Sequence, residues 1–365
     1  MKIICLKTSL LKGVNIVLKA VPVRTTMDIL ECIYINAENG SIKLTANDME
    51  LGIETVVEGS ILEEGHIALS ARLFSDIVRK LPDNDITITT DENFHALITC
   101  EKAKFNIAGR SGDDFVQLPR IEKQQHYAIS QFSLKQIISK TIFSAASGEN
   151  NPIMTGEYFE FADNTLKVTA LDGQRIAIRK IELKESYEPA GIIVPGKTMN
   201  EISKILTDDI DSEVSIYITN LHILFEFDNT TVVSRLIEGK YFDVVRMISS
   251  DYNTRMVIGK RDLQGCIDRA TLLIRESDRN PIILSVRDSA AELTVQSEIG
   301  SMDEVIDIDQ EGSDITIGFN PRFMLDAIRV IDEDDIPVYM NNSRTPLILR
   351  DDAGTYTYVI LPINF

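Results

Sequence analysis

Nine charged residues recur in one register along this chain. Arg72, Lys197 and Arg322 stand 125 residues apart, as do Arg79, Lys204 and Arg329, and so do the acids Asp76, Glu201 and Asp326. Such agreement is hard to obtain by chance, and it makes the chain a threefold repeat. In each copy the two bases are seven residues apart, which puts them on one helix face with the acid between them. On a single helix this pattern reads as a solvated face with ordinary ion pairs. Repeated three times, base–acid–base describes a mildly basic surface with a net of about one positive charge per helix. Lys12 and Lys19, also seven apart, extend the polar face of an earlier helix. Surfaces of this kind make weak phosphate contacts that carry no sequence information. No Asn/Arg array suited to base edges accompanies them, so no sequence specificity is expected.

Residues that could support catalysis are sparse. The histidines His66, His95, His126 and His222 show no metal-ligand spacing such as HExxH. The chain has no GxxxxGK(S/T) phosphate loop, no GxGxxG after a strand and no GxSxG elbow. Asp48 and Asp172 fall at equivalent repeat positions and read as turn caps rather than a carboxylate pair. Asp113 and Asp114 read as a solvated turn. Cys5, Cys32, Cys100 and Cys266 are far apart without a CxxC pair, which predicts buried free thiols. Neither a cofactor nor a metal is expected.

The elements that carry the charges follow from hydrophobic spacing. Residues 70–81, 195–206 and 320–331 each predict an amphipathic helix. In the first, Leu73, Phe74, Ile77, Val78 and Leu81 supply the apolar stripe. Ser70 and Asn320 stand where they could cap the first and third of these helices. Strands are predicted before them at 66–69, 190–194 and 314–318, and after them at 85–90, 213–218 and 336–340. A second helix opens each repeat, over 9–21, 133–143 and 262–274. Hairpin patterns follow at 42–48, 166–172 and 292–297. Each repeat is thus about 120 residues with two helices and many strands. Polar stretches at 122–126 and 249–254 divide the chain into domains 1–121, 128–248 and 256–365.

The chain of 365 residues is 44% hydrophobic and 25% charged, ordinary for a globular protein of two or three domains. A net charge of −19 argues by itself against a nucleic-acid partner. Total charge says nothing of distribution, however, and an acidic exterior can coexist with a basic inner surface. No segment has the apolar length of a membrane span, and residues 1–5 lack signal-peptide character. A cytoplasmic location is expected.

Four segments, in order along the chain, carry a family resemblance. Arg24-Thr-Thr-Met-Asp-Ile-Leu30 resembles a segment near the start of bacterial DNA polymerase III beta subunits. Thr169-Ala-Leu-Asp-Gly-Gln-Arg-Ile-Ala177, Gly239-Lys-Tyr-Phe-Asp243 and Tyr358-Val-Ile-Leu-Pro-Ile363 are similar to three further motifs of that family. The resemblance implies an α+β chain of three clamp-type domains, each with two helices packed on antiparallel sheets. Two chains would form a head-to-tail homodimeric ring (a sliding clamp) with helices lining the hole. It implies a non-enzymatic processivity factor that encircles duplex DNA and associates with the nucleoid. Implied partners are the polymerase III alpha subunit, a clamp loader, and other polymerases and repair proteins that carry a short peptide, roughly Q-L-x-L-F.

By matched position, the resemblance implies a peptide pocket formed by Met154, Leu171, Gly173, Arg175, Ile176, Phe242, Arg246, Met247, Val359, Ile360, Leu361, Pro362 and Ile363. Met and branched aliphatic side chains suit several related peptides. Arg24 and Lys197 match DNA-contact positions of the family. Lys12, Arg72, Arg79, Lys204, Arg322 and Arg329 join them from the repeated basic face. Departures from the family pattern are Asp28 for Pro, Gln174 for His, Phe242 for Pro, and the terminal Phe365. Phe242 bears directly on which peptide fits. Two other readings remain at this point. One is an enzyme that binds a metal through Asp48, Asp172 and Asp243; the other is a repeat-built interaction protein unconnected with DNA.

Overall fold

The computed structural model describes residues 1–123, 125–148, 151–248, 251–274 and 281–365. Residues 124, 249 and 250, which belong to the predicted boundary stretches, lie outside the described residues. The described helices are α1 (Lys7–Val17), α2 (Ala71–Lys80), α3 (Gln131–Ser139), α4 (Gly196–Ser203), α5 (Lys260–Thr271) and α6 (Pro321–Val330), two per repeat as predicted. Their ends differ from the predicted ones for a common reason. In α1, α2, α3, α4 and α5 the preceding strand runs into the helix with no intervening residue, so α1, α3 and α5 start about two residues early. Beyond α1 and α3, the predicted last turns are short 3-10 segments, Leu18–Ala20 and Ile142–Ser144.

The same geometry overturns one capping expectation. Ser70 is still the last residue of its strand, paired with Cys32, and its side chain makes no cap hydrogen bond. Asn320 lies past the end of strand Ile315–Phe319, and its side chain accepts from the Arg322 amide at 2.9 Å. The apolar stripe of α2 also needs a correction. Phe74, Ile77, Val78 and Leu81 are buried, whereas Leu73 is 46% exposed. Leu73 sits about a quarter-turn from the centre of that stripe, at its edge. Helix α1 lies directly on its sheet. A Cβ built on Gly13 would come within 2.5 Å of Val57 Cγ2 and 3.2 Å of Leu44 Cδ1, so the close approach requires glycine.

Two compact units emerge, residues 1–132 with 201–236, and residues 133–200 with 237–365. They cut across the repeats because neighbouring repeats share sheets. In the first unit, strand Thr230–Arg235 of the second repeat pairs antiparallel with Leu51–Val57 of the first, with Val232 opposite Ile53. This completes an eight-stranded sheet, sealed by a buried 2.9 Å hydroxyl contact between Thr55 and Thr230. A five-stranded sheet, ending in strand Ala103–Ala108, completes that unit. In the second unit, strand Arg175–Pro195 pairs antiparallel with Tyr356–Ile360 of the third repeat, with Ile176 opposite Val359. The result is a seven-stranded sheet, accompanied by a four-stranded sheet that ends in strand Gly300–Asp307. Within the second unit, one core fills the third repeat, from Met256 to Ile360. A smaller apolar cluster forms around Leu171, Ile176, Tyr241, Tyr339, Ile348 and Val359.

Candidate functional site

The smaller cluster gathers much of the expected pocket. Leu171, Ile176 and Val359 are buried in it, and Met154 and Phe242 pack against it half-buried. These residues meet because Leu171, the last residue of one strand, pairs with Ile176 of the next, and Ile176 pairs with Val359. Strand alternation sends Ile360 the other way, into the core of the third repeat, so its side chain is not with the others. Beyond the strand, Leu361 is 42% exposed while its amide donates to the Gln174 carbonyl at 2.9 Å. Pro362 and Ile363 are half-buried, and the Ile363 amide donates to the Gly318 carbonyl at 2.8 Å. Met247 is 53% exposed. Arg246 extends into solvent beside Asp243, at 2.9 Å.

The turn from Leu171 to Ile176 explains two further pocket positions. Asp172 Oδ1 accepts from the amides of Gln174 at 2.9 Å and Arg175 at 3.0 Å, and Gly173 takes a positive φ of +86°. Asp48 closes the equivalent turn in the first repeat, accepting from the Glu50 and Leu51 amides at 3.0 and 2.7 Å. Both aspartates are therefore turn caps. Among the described residues, no group of three or more His, Cys, Asp or Glu side chains could hold a metal. All four cysteines are buried and free, as expected.

Arg175 is engaged differently from a solvent-facing peptide contact. Its side chain is only 13% exposed. Nε donates to Asp172 Oδ2 at 3.0 Å, Nη1 to Asp326 Oδ2 at 2.6 Å and Nη2 to the Phe143 carbonyl at 2.5 Å. Its guanidinium lies over the rings of Phe323, 4.4 Å away, and Phe143, 5.5 Å away. A planar fork of donors with an aromatic-stacking face fits this site as a lysine would not. Arg175 therefore fixes the pocket turn against α6. Sequence reasoning missed Phe323 and gave Asp326 only to its own helix. Phe323 and Asp326 stand three apart on one face of α6, but nothing in that spacing points to Arg175.

Within the cluster, Tyr241 stacks on Tyr158 at 4.8 Å and donates its hydroxyl to the Thr169 carbonyl at 3.2 Å. Phe242 stands edge-on to Tyr241 at 5.9 Å. Glu157 is fully buried. Thr141 donates to its Oε1 at 2.5 Å, Oε2 has no hydrogen-bond partner, and burial pushes its carboxyl up to about 8. Period-two alternation, which places Glu157 in register with Phe159 and Phe161, was the sequence sign of this burial.

All eight expected DNA-contact residues are exposed. Lys12 is on α1, Arg72 and Arg79 on α2, Lys197 on α4, and Arg322 and Arg329 on α6. Lys204 falls one residue past α4, and Arg24 lies in the loop between the 3-10 turns Leu18–Ala20 and Asp28–Glu31. The register acids differ in what they do. Asp76 is 3.9 Å from Arg79, at the edge of an ion pair, and Glu201 is 2.6 Å from Lys204. Asp326 binds Arg175 instead of the bases of its own helix. The structure thus brings the bases together helix by helix; α2 lies in the first unit and α6 in the second.

Comparison with known proteins agrees with this architecture. Three family profiles match in order: the N-terminal domain of the DNA polymerase III beta subunit over residues 1–119, the central domain over 128–243 and the C-terminal domain over 245–364. The beta sliding clamp of Staphylococcus epidermidis is 36% identical over 361 residues, 96% of each chain. A DNA polymerase III beta subunit from Eubacterium rectale superposes with a TM-score of 0.97 at 59% identity, covering 100% of both chains. The sliding clamp of Bacillus subtilis gives a TM-score of 0.96 at 34% identity, over 100% of this chain and 99% of that one. Full-length similarity, three domain matches in order and sheets shared between consecutive repeats place this chain in the DNA polymerase III beta subunit family, the bacterial sliding clamps.

Proposed function

We propose that two copies of this chain close head to tail into a ring around duplex DNA and tether the replicative polymerase to it. The family is that of non-catalytic processivity subunits, and the chain acts as a DNA sliding clamp within it. Three domains, 1–121, 128–248 and 256–365, build each half of the ring. Sharing of sheets between consecutive repeats is the observation that carries the closure. Each internal junction is a continuous antiparallel ladder, while strands Ala103–Ala108 and Gly300–Asp307 end their sheets among the described residues. Exposed strand edges are templates for pairing with another chain, and a heterologous contact between two different edges closes a ring when the rotation allows.

Lys12, Arg24, Arg72, Arg79, Lys197, Lys204, Arg322 and Arg329 face the duplex and supply contacts to phosphate without sequence preference. The cluster around Leu171, Ile176 and Val359 receives the short hydrophobic peptide of the alpha subunit, the clamp loader and other polymerases and repair proteins. Met154, Phe242, Met247 and Leu361 form its adaptable walls. Among the described residues no helix is long and apolar enough to cross a membrane. The protein works in the cytoplasm, on the nucleoid.

Negative-stain electron microscopy of the purified protein tests the ring. Six-lobed particles with a hole wide enough for duplex DNA are expected; compact monomers or solid dimers at micromolar concentration would overturn it. Retention on nicked circular DNA, with loss once the circle is linearised, is expected of a topological tether. Equal retention on both forms would mean ordinary surface binding.

A further inference from the structure

Residues 141–146, just past helix α3, hold two pocket residues through backbone groups. The Phe143 carbonyl accepts from Arg175 Nη2, and the Ala146 amide donates to the Met154 carbonyl at 2.9 Å. Arg175 fixes the turn between Leu171 and Ile176, and Met154 packs half-buried against the apolar cluster. The segment is tied in turn to Glu157, which lies opposite Val194 in strand Gly156–Leu171. Thr141 makes that tie. Its hydroxyl has one hydrogen and two close acceptors, Glu157 Oε1 at 2.5 Å and the Ile137 carbonyl at 2.7 Å. The Thr141 amide is spent on the Ile138 carbonyl at 3.1 Å, so the hydroxyl is what serves Ile137 at the end of α3. The Thr141 carbonyl accepts from the Ser144 amide at 3.0 Å, which closes the turn that carries Phe143.

We propose that Glu157 is a positioning residue for the peptide site: neutral, it braces residues 141–146 through Thr141, and its ionisation loosens Arg175 and Met154 and weakens peptide binding. The inference rests on the pocket reading given above. A neutral carboxyl brings a hydrogen of its own to the 2.5 Å contact, which leaves the Thr141 hydrogen for Ile137. A carboxylate brings none. It claims the Thr141 hydrogen, strips the Ile137 carbonyl of that donor, and leaves Oε2 buried and charged with no partner. Water must then reach it or the side chain must turn out. Either displaces Thr141, and the turn to Ser144 carries the shift to Phe143. Burial pushes the Glu157 carboxyl up to about 8, so the brace is whole below that pH and is lost as pH rises through it. Nearby charges are already engaged: Lys140, next to Thr141, pairs with Asp332, and Arg175 pairs with Asp172 and Asp326. The titratable group that Glu157 acts on is the Tyr241 phenol, which burial and then Glu157 push well up, so it stays neutral while Glu157 titrates.

Fluorescence anisotropy on the intact, folded protein tests the brace between roughly pH 7 and pH 9.5, on either side of the Glu157 transition. The probe is a Gln-Leu-Ser-Leu-Phe peptide with fluorescein at its N-terminus and an amide at its C-terminus, which keeps one charge state over that range. Kd of the unaltered protein should rise at least about fivefold across it, because peptide binding and protonation of Glu157 are linked. Glu157→Gln, which cannot ionise and carries amide hydrogens, should stay within about twofold throughout. Thr141→Val should weaken binding at least about threefold even at neutral pH, and Thr141→Ser should restore it. A purely structural role would change the melting temperature and leave the affinity of the folded protein alone. A flat profile in the unaltered protein, or the same rise in Glu157→Gln, overturns the inference while leaving the pocket standing, even where Thr141→Val fails to fold. Full affinity in a folded Thr141→Val protein overturns it too. Failure of the peptide to bind at neutral pH removes the pocket reading and the inference together.

Discussion

Replacing Glu157 with glutamine should make the protein less sensitive to rising pH. Glu157 is fully buried with one oxygen unpartnered, and its carboxyl is raised from an ordinary 4.5 to about 8 by desolvation. Between those values the folded chain holds a proton that the unfolded chain releases. The stability that protonated Glu157 contributes is therefore complete below about pH 4.5, declines as pH rises, and is lost once pH passes about 8. Moving from pH 5.5 to 7.5 therefore removes about 2–3 kcal/mol. For a cooperative unit of roughly 150–250 residues, that is a fall of about 4–12 °C in Tm. Glu157→Gln keeps the acceptor that Thr141 uses and cannot ionise. Thermal unfolding of both proteins at pH 5.5, 6.5 and 7.5 reads the difference directly. Other groups that titrate in this range cancel between the two. They include His222, which burial and Arg235 hold below the usual imidazole value. The two Tm curves should converge toward low pH, with the variant more stable at pH 7.5. Parallel curves would refute the buried-acid argument.

Leu361→Ala or Met154→Ala should weaken binding of a Q-L-x-L-F peptide by about 1–3 kcal/mol in a titration, and unchanged affinity would count against the pocket. Ile360→Ala should act on stability instead, by about 2–5 kcal/mol in urea unfolding, because its side chain lies in the opposite core. A double-mutant cycle on Arg175→Gln and Asp326→Asn, read by urea unfolding, should give a coupling above about 1 kcal/mol; additive effects would break the proposed tie between the pocket turn and α6. Charge reversal at Arg322 and Arg329 together should lower DNA association and flatten the dependence of log K on log salt, by a slope of about 0.9 for each phosphate that is no longer neutralised. An unaltered slope would remove α6 from the DNA surface.

Elements with strong local periodicity were legible in the sequence. The strands at 85–90 and 213–218 match the observed Asp85–Thr90 and Glu213–Ile218 to the residue, because their alternation is bounded by polar turns. The helix starts were displaced because the spacing rule looks for a cap, whereas this fold turns strand into helix without one. Contacts that join distant segments left no local trace. Nothing near Arg175 in the chain announces Asp326, 151 residues away, and nothing near Thr55 announces Thr230. The family motifs supplied most of the pocket, yet they grouped Val359 with Ile360. Strand alternation by itself separates those two onto opposite faces of the sheet.

The register acids show how one repeated charge pattern can serve three local needs. A base–acid–base face nets about one positive charge while its acid stays on that face. In α4 the acid does so, since Glu201 pairs with Lys204. In α2 it is held loosely, 3.9 Å from Arg79. In α6 Asp326 turns instead to Arg175, which it shares with Asp172. Arg329 reaches instead toward Asp268 of α5, at a loose 3.8 Å between half-exposed side chains. The ion pair of Asp326 with Arg175 also anchors the turn that carries Leu171 and Ile176. One contact therefore holds the pocket turn and engages the register acid of α6, a helix proposed to meet DNA.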